Sequence, residues 1–351
     1  METNKHYNGI DGLRTLGCLG IIAMHIRANT NYDVSGYVYN AIIPSFTQFV
    51  YLFMLISAFG LCCGYYSSLR SGIFDPNRFY KRRYGKLWLF FALVVLLEVI
   101  TERTPQALAE AFVELTMVFG LLPNNELSII GVSWTLGIIF VFYYLFPFFI
   151  FLLWSKRRAW CTLVLSLIVS TLCQEYFFTE KFVIEDFTAR HSFLFCIPFF
   201  LGGGLLFLYR EQLSILVKRW RLASFLICSS LTVIYYYLPD TIMGVDILVP
   251  KQLLVFVPWL AYAISVDSIV LCNPITKYLS NISMEMYLAH MIAFRVVEKI
   301  GLLYILGNNV FSYLLTFLLT LAVLIPAIQL YRLTVNKLSA YIHTKTNFKT
   351  I

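Results

Sequence analysis

The sequence predicts an all-α, polytopic integral membrane protein: a helical bundle of about ten transmembrane helices with both termini in the cytoplasm. The first observation is composition, because 59% of the 351 residues are hydrophobic and 13% are charged, whereas soluble domains carry roughly 25% charged residues. The second is a series of apolar segments long enough to cross the hydrocarbon core. The third is the distribution of Lys and Arg. Together they exclude a soluble enzyme, a disordered chain, a collagen-like chain and a nucleic-acid-binding domain, so we expect no nucleic-acid partner.

Ten segments have the length and composition of membrane spans. They lie near residues 10–28, 41–66, 87–101, 129–154, 159–177, 191–209, 222–239, 252–271, 281–301 and 310–331. The first is predicted to be a retained span, because no small-residue cleavage site follows it. The stretch from Pro105 to Pro123 is short and acidic, which favours an interfacial helix. Five prolines are predicted within or at the ends of spans: Pro44, Pro147, Pro198, Pro258 and Pro326.

The charges indicate the orientation of the spans. The net charge is +8, and with a cytoplasmic amino terminus most Lys and Arg residues fall in the inner connections, as the positive-inside rule requires. Adding or removing one helix would reverse this pattern for all later loops, so the pattern supports ten spans. We therefore expect one transmembrane domain over residues 1–334 and a short basic cytoplasmic tail over residues 335–351, in contact with membrane lipid.

The cysteine spacing and the absence of internal repeats bear on two further interpretations, a metal site and a transporter. None of the eight cysteines shows metal-ligand spacing, so we interpret them as small helix-packing residues and expect no metal. The chain has no internal repeat, which weakens the case for an inverted-repeat transporter.

The first span contains two residues that membrane composition does not explain, Arg14 and His25. Eleven residues are close to three helical turns, so both side chains project from one face, about 16 Å apart along the helix axis. That face combines a fixed cation near the inner surface with a titratable imidazole deep in the membrane. A purely structural alternative stays open, in which Arg14 snorkels to lipid headgroups and His25 packs between helices.

The ninth span holds a second pair of polar residues. Tyr287 and His290 are three residues apart and adjoin on one helix face. Polar groups at this depth cost a few kcal/mol on insertion scales, so a functional role is one explanation. The alternative is an interhelical hydrogen bond that holds the bundle together.

A dense basic stretch follows the second span and is predicted to be an inner loop. It includes Arg78, Arg82, Arg83 and Lys86. One explanation is membrane topology together with anionic lipid. The other is a binding site for a phosphorylated cytosolic cofactor, because Arg and Lys are the natural phosphate partners.

Five stretches of the sequence together form an ordered pattern. They are DGLRTLGCLGIIAMH with Arg14 and His25; YLFMLISAFGL with Ser57-Ala58-Phe59; RFYKRRYGKLW from Arg78; SWTLGIIFVFYYLFP with Trp134; and YLSNISMEMYLAH ending at His290. In this order they resemble the acyltransferase 3 family of bacterial integral membrane acyltransferases, which O-acylate envelope and exported glycans. Lys86 stands where the family usually has Arg, and Leu89 where it usually has Pro. Many members carry an acidic residue at the position of Ile139 or Phe140, and here both are apolar.

The resemblance implies a membrane O-acyltransferase, in its stand-alone transmembrane form, in the bacterial inner membrane. We expect it to move an acyl group, with acetyl-CoA the expected cytosolic donor, to a hydroxyl of a cell-surface or exported glycan. Polysaccharide-assembly proteins are candidate partners. The main alternative is a transporter or flippase for a lipid-linked sugar; a third is an inactive scaffold for polysaccharide assembly.

The expected mechanism gives each candidate residue a role. Arg78, Arg82, Arg83 and Lys86 would bind the phosphates of acyl-CoA, and Arg14 would guide the pantetheine or polarise charge near the inner surface. His25 would act as general base or as transient acyl carrier, because imidazole titrates near neutral pH. Residues expected to contact substrate or to support the site are Ser57, Trp134, Tyr287 and His290.

Overall fold

The computed structural model describes residues 6–121, 129–183 and 187–347, which are almost entirely helical. The α-helices are α1 Asn8–Ala28, α2 Ile43–Ser45, α3 Phe49–Arg70, α4 Pro76–Glu102, α5 Pro105–Leu115, α6 Trp134–Leu152, α7 Lys156–Tyr176, α8 Phe193–Arg219, α9 Arg221–Tyr237, α10 Leu248–Ser265, α11 Pro274–Lys299 and α12 Val310–Asn347. A π-helical turn and a 3₁₀ turn flank α2, so Val38–Arg70 runs as one helical segment. Within the described ranges the strands are β1 Thr241–Ile242 and β2 Val245–Asp246, an antiparallel pair with Thr241 opposite Asp246.

Each of the ten predicted spans coincides with one long helix, so the all-α polytopic prediction is confirmed. In the described part of the chain, eight helical segments are long and apolar enough to cross a membrane. The other two predicted spans correspond to α9 and α11. Helix α9 is shorter, with 17 residues, and α11 carries five charged residues. That these two helices cross the membrane stays a prediction. The prolines lie inside α2, α6, α8, α10 and α12.

The interpretation of the basic stretch as a loop is wrong, because α4 begins at Pro76 and includes it. The Asp75 side chain accepts a hydrogen bond from the Arg78 backbone N–H, 3.0 Å long, and so satisfies one of the free donors of the first turn. Pro76 occupies the first turn, where its missing N–H costs nothing. This cap starts the helix eleven residues before the predicted span at residue 87. The basic side chains therefore project from a helix at fixed angles.

Helix α5 lies where an interfacial helix was predicted. Its 11 residues extend about 16 Å, which is too short to cross the bilayer. One face is buried through Ala107, Ala111 and Glu114, and the opposite face exposes Leu108 and Phe112. This two-sided pattern is typical of a helix at the edge of a membrane domain.

Packing divides the chain into two compact units. The first consists of Met1–Gly17 and Gln48–Ser280, and the second of Cys18–Thr47 and Asn281–Ile351. Helices α1 and α11 each contribute one part to each unit. The division leaves Arg14 in the first unit, and His25, Tyr287 and His290 in the second.

The core of the first unit is aromatic. Helix α8 packs against α3, α6, α7 and α10. Two stacked ring pairs lie inside this packing: Tyr51 with Phe199, centroids 4.3 Å apart, and Phe142 with Phe200, 4.0 Å apart. Gly203 lets α3 and α8 approach closely, because a Cβ there would lie 2.2 Å from the Leu55 carbonyl oxygen. Four of the cysteines are buried, as expected for packing residues: Cys18, Cys62, Cys196 and Cys228.

The second unit joins the end of α1 to α11 and α12. Cys18 donates to the Ser283 carbonyl of α11, and the Tyr313 hydroxyl of α12 donates to the Ala23 carbonyl, 3.0 Å away. Beyond α1, the Tyr32 hydroxyl bonds to Thr316 at 2.7 Å. These bonds hold the part of α1 that carries His25 against α11 and α12.

Candidate active site

In the second unit, the imidazole rings of His25 and His290 are in contact. Their centroids are 5.0 Å apart with an angle of 48° between the planes. His290 is 1% exposed and His25 is partly buried. The two membrane histidines singled out on separate helices by the sequence therefore meet in one place.

Tyr287 fixes the orientation of His290 through its backbone. The His290 Nδ1 atom lies 2.7 Å from the Tyr287 carbonyl oxygen, and the two rings lie 6.1 Å apart. This confirms that the two residues adjoin on α11. The His290 Nε2 atom is buried and has no hydrogen-bond partner among the described residues. Leaving a buried polar atom unpaired costs about 1–3 kcal/mol, so its position calls for an explanation.

In the first unit, Tyr143 of α6 connects several of the predicted residues. Its hydroxyl lies 3.3 Å from the Ser57 hydroxyl of α3. Its ring lies 5.9 Å from the Arg83 guanidinium, which also lies over Tyr65 at 5.2 Å. The Arg14 guanidinium is within electrostatic range of both Tyr143 and Arg83. Two cations and two hydroxyls therefore cluster here, an arrangement suited to an anionic or strongly polar ligand.

The basic stretch of α4 divides into an exposed part and an inward part. Arg78 and Arg82, one turn apart, are exposed. Arg83 instead points toward the rings of Tyr65 and Tyr143, and its Nε atom is buried without a hydrogen-bond partner among the described residues. Lys86 belongs to α4, but its side chain lies outside the described residues. The exposed pair has the spacing to contact phosphate groups from solution.

Trp134 belongs to a different cluster of the first unit. It is the first residue of α6 and stacks on His191, with centroids 4.6 Å apart, while the Arg190 guanidinium lies 5.6 Å from its ring. His191 lies in the short turn before α8, and burial together with Arg190 lowers the pKa of its imidazole to about 4. Trp134 and Tyr143 are nine residues apart on α6, about 13 Å along the helix. The structure therefore separates Trp134 from Ser57 and Arg83.

A buried carboxylate that the sequence analysis did not single out lies beside Trp134. Glu114 of α5 is 0% exposed and accepts hydrogen bonds from the Ser133 hydroxyl, 2.5 Å, and from the Ile130 backbone N–H, 3.1 Å. The apolar residues Ile139 and Phe140 of the same motif are themselves buried. An acidic side chain is thus present next to the Trp134 motif, contributed by another helix.

Comparison with known proteins decides the family. The model of the acyltransferase 3 family, described as an acyltransferase domain, matches residues 7–328. The chain belongs to this family. No curated protein and no solved structure matches it.

Membership makes the chain a multi-pass membrane acyltransferase. The match includes all the candidate residues, from Arg14 to His290, and supports the acyltransferase over the transporter. Among the described residues of this acyltransferase, no three His, Cys, Asp or Glu side chains cluster in a way that would bind a metal ion. Its reactive groups in the second unit are imidazoles, which act as bases, nucleophiles or proton carriers.

Sequence reasoning missed two members of these clusters. Tyr143 lies within the SWTLGIIFVFYYLFP stretch, so its motif was noticed but its hydroxyl was not. Glu114 gave no such signal. Its hydrogen-bond partners, Ile130 and Ser133, lie 16 and 19 residues away in the sequence, in the segment that leads into α6.

Proposed function

We propose that this protein is an O-acetyltransferase of the bacterial inner membrane, which moves an acetyl group from cytosolic acetyl-CoA to a hydroxyl of a cell-surface or exported glycan. The observation that carries the proposal is the contact between His25 and His290 in a chain of the acyltransferase 3 family. Acyl transfer to an alcohol needs a group that removes the hydroxyl proton, and a neutral imidazole is suited to this at physiological pH.

The first unit supplies groups for the donor. CoA carries several phosphates, and the exposed Arg78 and Arg82 offer charge-assisted hydrogen bonds to them. Arg83 and Arg14, beside Tyr143, suit the polar pantetheine arm.

In this mechanism His25 serves as the base or as a transient acyl carrier. Base catalysis contributes about 10²–10⁴-fold, so His25→Ala should reduce transfer by at least that factor. His25→Gln, which keeps much of the side-chain volume, should be similarly inactive.

The test uses cells whose own copy of the gene is deleted and replaced by wild type, His25→Ala or His25→Gln at matched expression. O-acetyl groups on the surface polysaccharide are measured by mass spectrometry, and polymer export is measured in parallel. We expect loss of O-acetylation with export intact. Full O-acetylation in both variants would overturn the assignment of His25. A wild-type chain that changes export but never acetylation would show a transporter instead.

A further inference from the structure

The hydrogen bond of His290 defines which of its nitrogens carries the proton. A backbone carbonyl oxygen only accepts, so at 2.7 Å from the Tyr287 oxygen the Nδ1 atom of His290 must be the donor. In the neutral imidazole, a proton on Nδ1 leaves a lone pair on Nε2. The structure therefore presents Nε2 of His290 as a hydrogen-bond acceptor of fixed orientation.

That acceptor atom is buried and has no hydrogen-bond partner among the described residues. A purely structural histidine would be expected to use both ring nitrogens, because buried polar groups are nearly always hydrogen-bonded. Its neighbour is the ring of His25, in contact at 5.0 Å. A buried, unpartnered acceptor beside a second imidazole is able to accept a hydrogen bond from the O–H group of a substrate.

We propose that His290 is a catalytic base of the acyl transfer, and that it takes up the proton of the acceptor hydroxyl through Nε2. The inference rests on the proposed function and assigns its proton-accepting step to His290, which leaves His25 the other role proposed for it, that of transient acyl carrier. A ring nitrogen of neutral His25 forms a C–N bond to the thioester carbonyl carbon, the C–S bond breaks, and the acylated ring gives its N–H proton to the departing CoA thiolate. The acceptor O–H bond then breaks as an N–H bond forms on His290, and the hydroxyl oxygen forms the new C–O bond with the acyl carbon. The C–N bond to His25 breaks, the proton on His290 passes to the released His25 ring, and both imidazoles return to the neutral state.

Tyr287 is a positioning residue in this scheme. Its carbonyl holds the Nδ1 proton, and this keeps the lone pair on Nε2. The hydrogen bond uses backbone atoms, so substitution of the Tyr287 side chain should preserve the tautomer of His290.

Two substitutions separate the functions of the two nitrogens. In His290→Asn, the side-chain amide is placed to replace Nδ1–H and to keep the bond to the Tyr287 carbonyl, but nothing replaces Nε2. In His290→Gln, the side-chain oxygen is placed near Nε2 and accepts a hydrogen bond, but it is not basic. The matched control is His6→Asn, since the His6 side chain is 62% exposed and lies outside the described clusters.

The assay measures transfer of radiolabel from [acetyl-¹⁴C]acetyl-CoA to polysaccharide in membrane vesicles from the deletion strain carrying each variant. For both His290 variants we expect kcat to fall by about 10²–10⁴-fold, with the KM for acetyl-CoA and the thermal midpoint unchanged. His6→Asn should match wild type. A structural role would instead lower the thermal midpoint and leave kcat per folded molecule intact.

The outcomes separate this inference from the function on which it rests. If wild-type vesicles transfer label and His290→Gln keeps more than about a tenth of the wild-type kcat, His290 is not the base, although the acyltransferase proposal stands. If wild-type vesicles transfer no label at all, the proposed function fails, and the role of His290 fails with it.

Discussion

Gly203→Ala should destabilise the first unit by forcing α3 away from α8. The new Cβ would lie 2.2 Å from the Leu55 carbonyl oxygen and 3.0 Å from the Ala58 Cβ. Ordinary contacts between carbon and its neighbours are about 3.5 Å, so the helices must separate locally by about 1.3 Å. The closest atom is the backbone oxygen of Leu55, which cannot move away by a change of side-chain rotamer.

The expected loss follows from the packing around that contact. A gap of about 0.5–1 Å already removes a quarter to a half of the dispersion attraction between facing atoms, and the Tyr51–Phe199 stack lies on the same two helices. Overpacked cores typically lose about 1–3 kcal/mol, and we expect a value near the top of that range. Ser57 moves with α3, so acyl transfer should also fall.

The control for this prediction lies on the same helix. A Cβ at Gly64 in α3 meets nothing within 4 Å, so Gly64→Ala should be neutral or gain up to about 1 kcal/mol from helix propensity. Thermal unfolding in detergent can be followed with a thiol-reactive dye, because buried free cysteines such as Cys62 and Cys196 become reactive on unfolding. The reasoning about this interface is refuted if the midpoint of Gly203→Ala lies within about 2 °C of that of Gly64→Ala.

Two further predictions concern charge. Arg78→Ala and Arg82→Ala should each raise the KM for acetyl-CoA about tenfold with kcat little changed, because a hydrogen bond to a charged group contributes about 1.5 kcal/mol; steady-state kinetics with varied acetyl-CoA tests this. Arg157→Ala, at another exposed cation, is the control, and equal effects of all three would indicate general surface charge. The pKa of His191 is lowered from 6.5 to about 4 in the folded protein. Between these two pH values the imidazole of the unfolded chain binds a proton and that of the folded chain does not. The free energy of unfolding should therefore fall as the pH drops from 6.5 to 4. His191→Gln should flatten this loss in thermal midpoints, and an unchanged slope would mean that His191 is not its source.

The membrane spans were predictable because each is determined by its own local sequence. Length and apolar composition are properties of one segment, and a helix in lipid must satisfy its own backbone hydrogen bonds. The start of α4 was equally local, since Asp75 followed by Pro76 is a helix-start signal. The basic composition of the stretch obscured it, because charge favours a solvated loop in a membrane protein.

The clusters were only partly predictable because they depend on which helices meet. Helix geometry placed Tyr287 and His290 on one face of α11, but nothing local to α1 indicates that His25 touches that face. Glu114 is the clearest case: in sequence it is one of several acidic residues on an outer segment, and only the tertiary packing buries it against Ser133. Contacts between distant segments follow from shape complementarity, which a single sequence does not reveal.

The length of α12 has a practical consequence. Its 38 residues form a rod of about 57 Å, while the hydrocarbon layer is about 30 Å thick. Even with a tilt, one end of the rod must emerge well clear of the lipid. A fluorescent reporter or affinity tag joined after the last turn would be held away from the headgroups by a rigid spacer, which suits the chain to orientation assays and to capture from solubilised membranes.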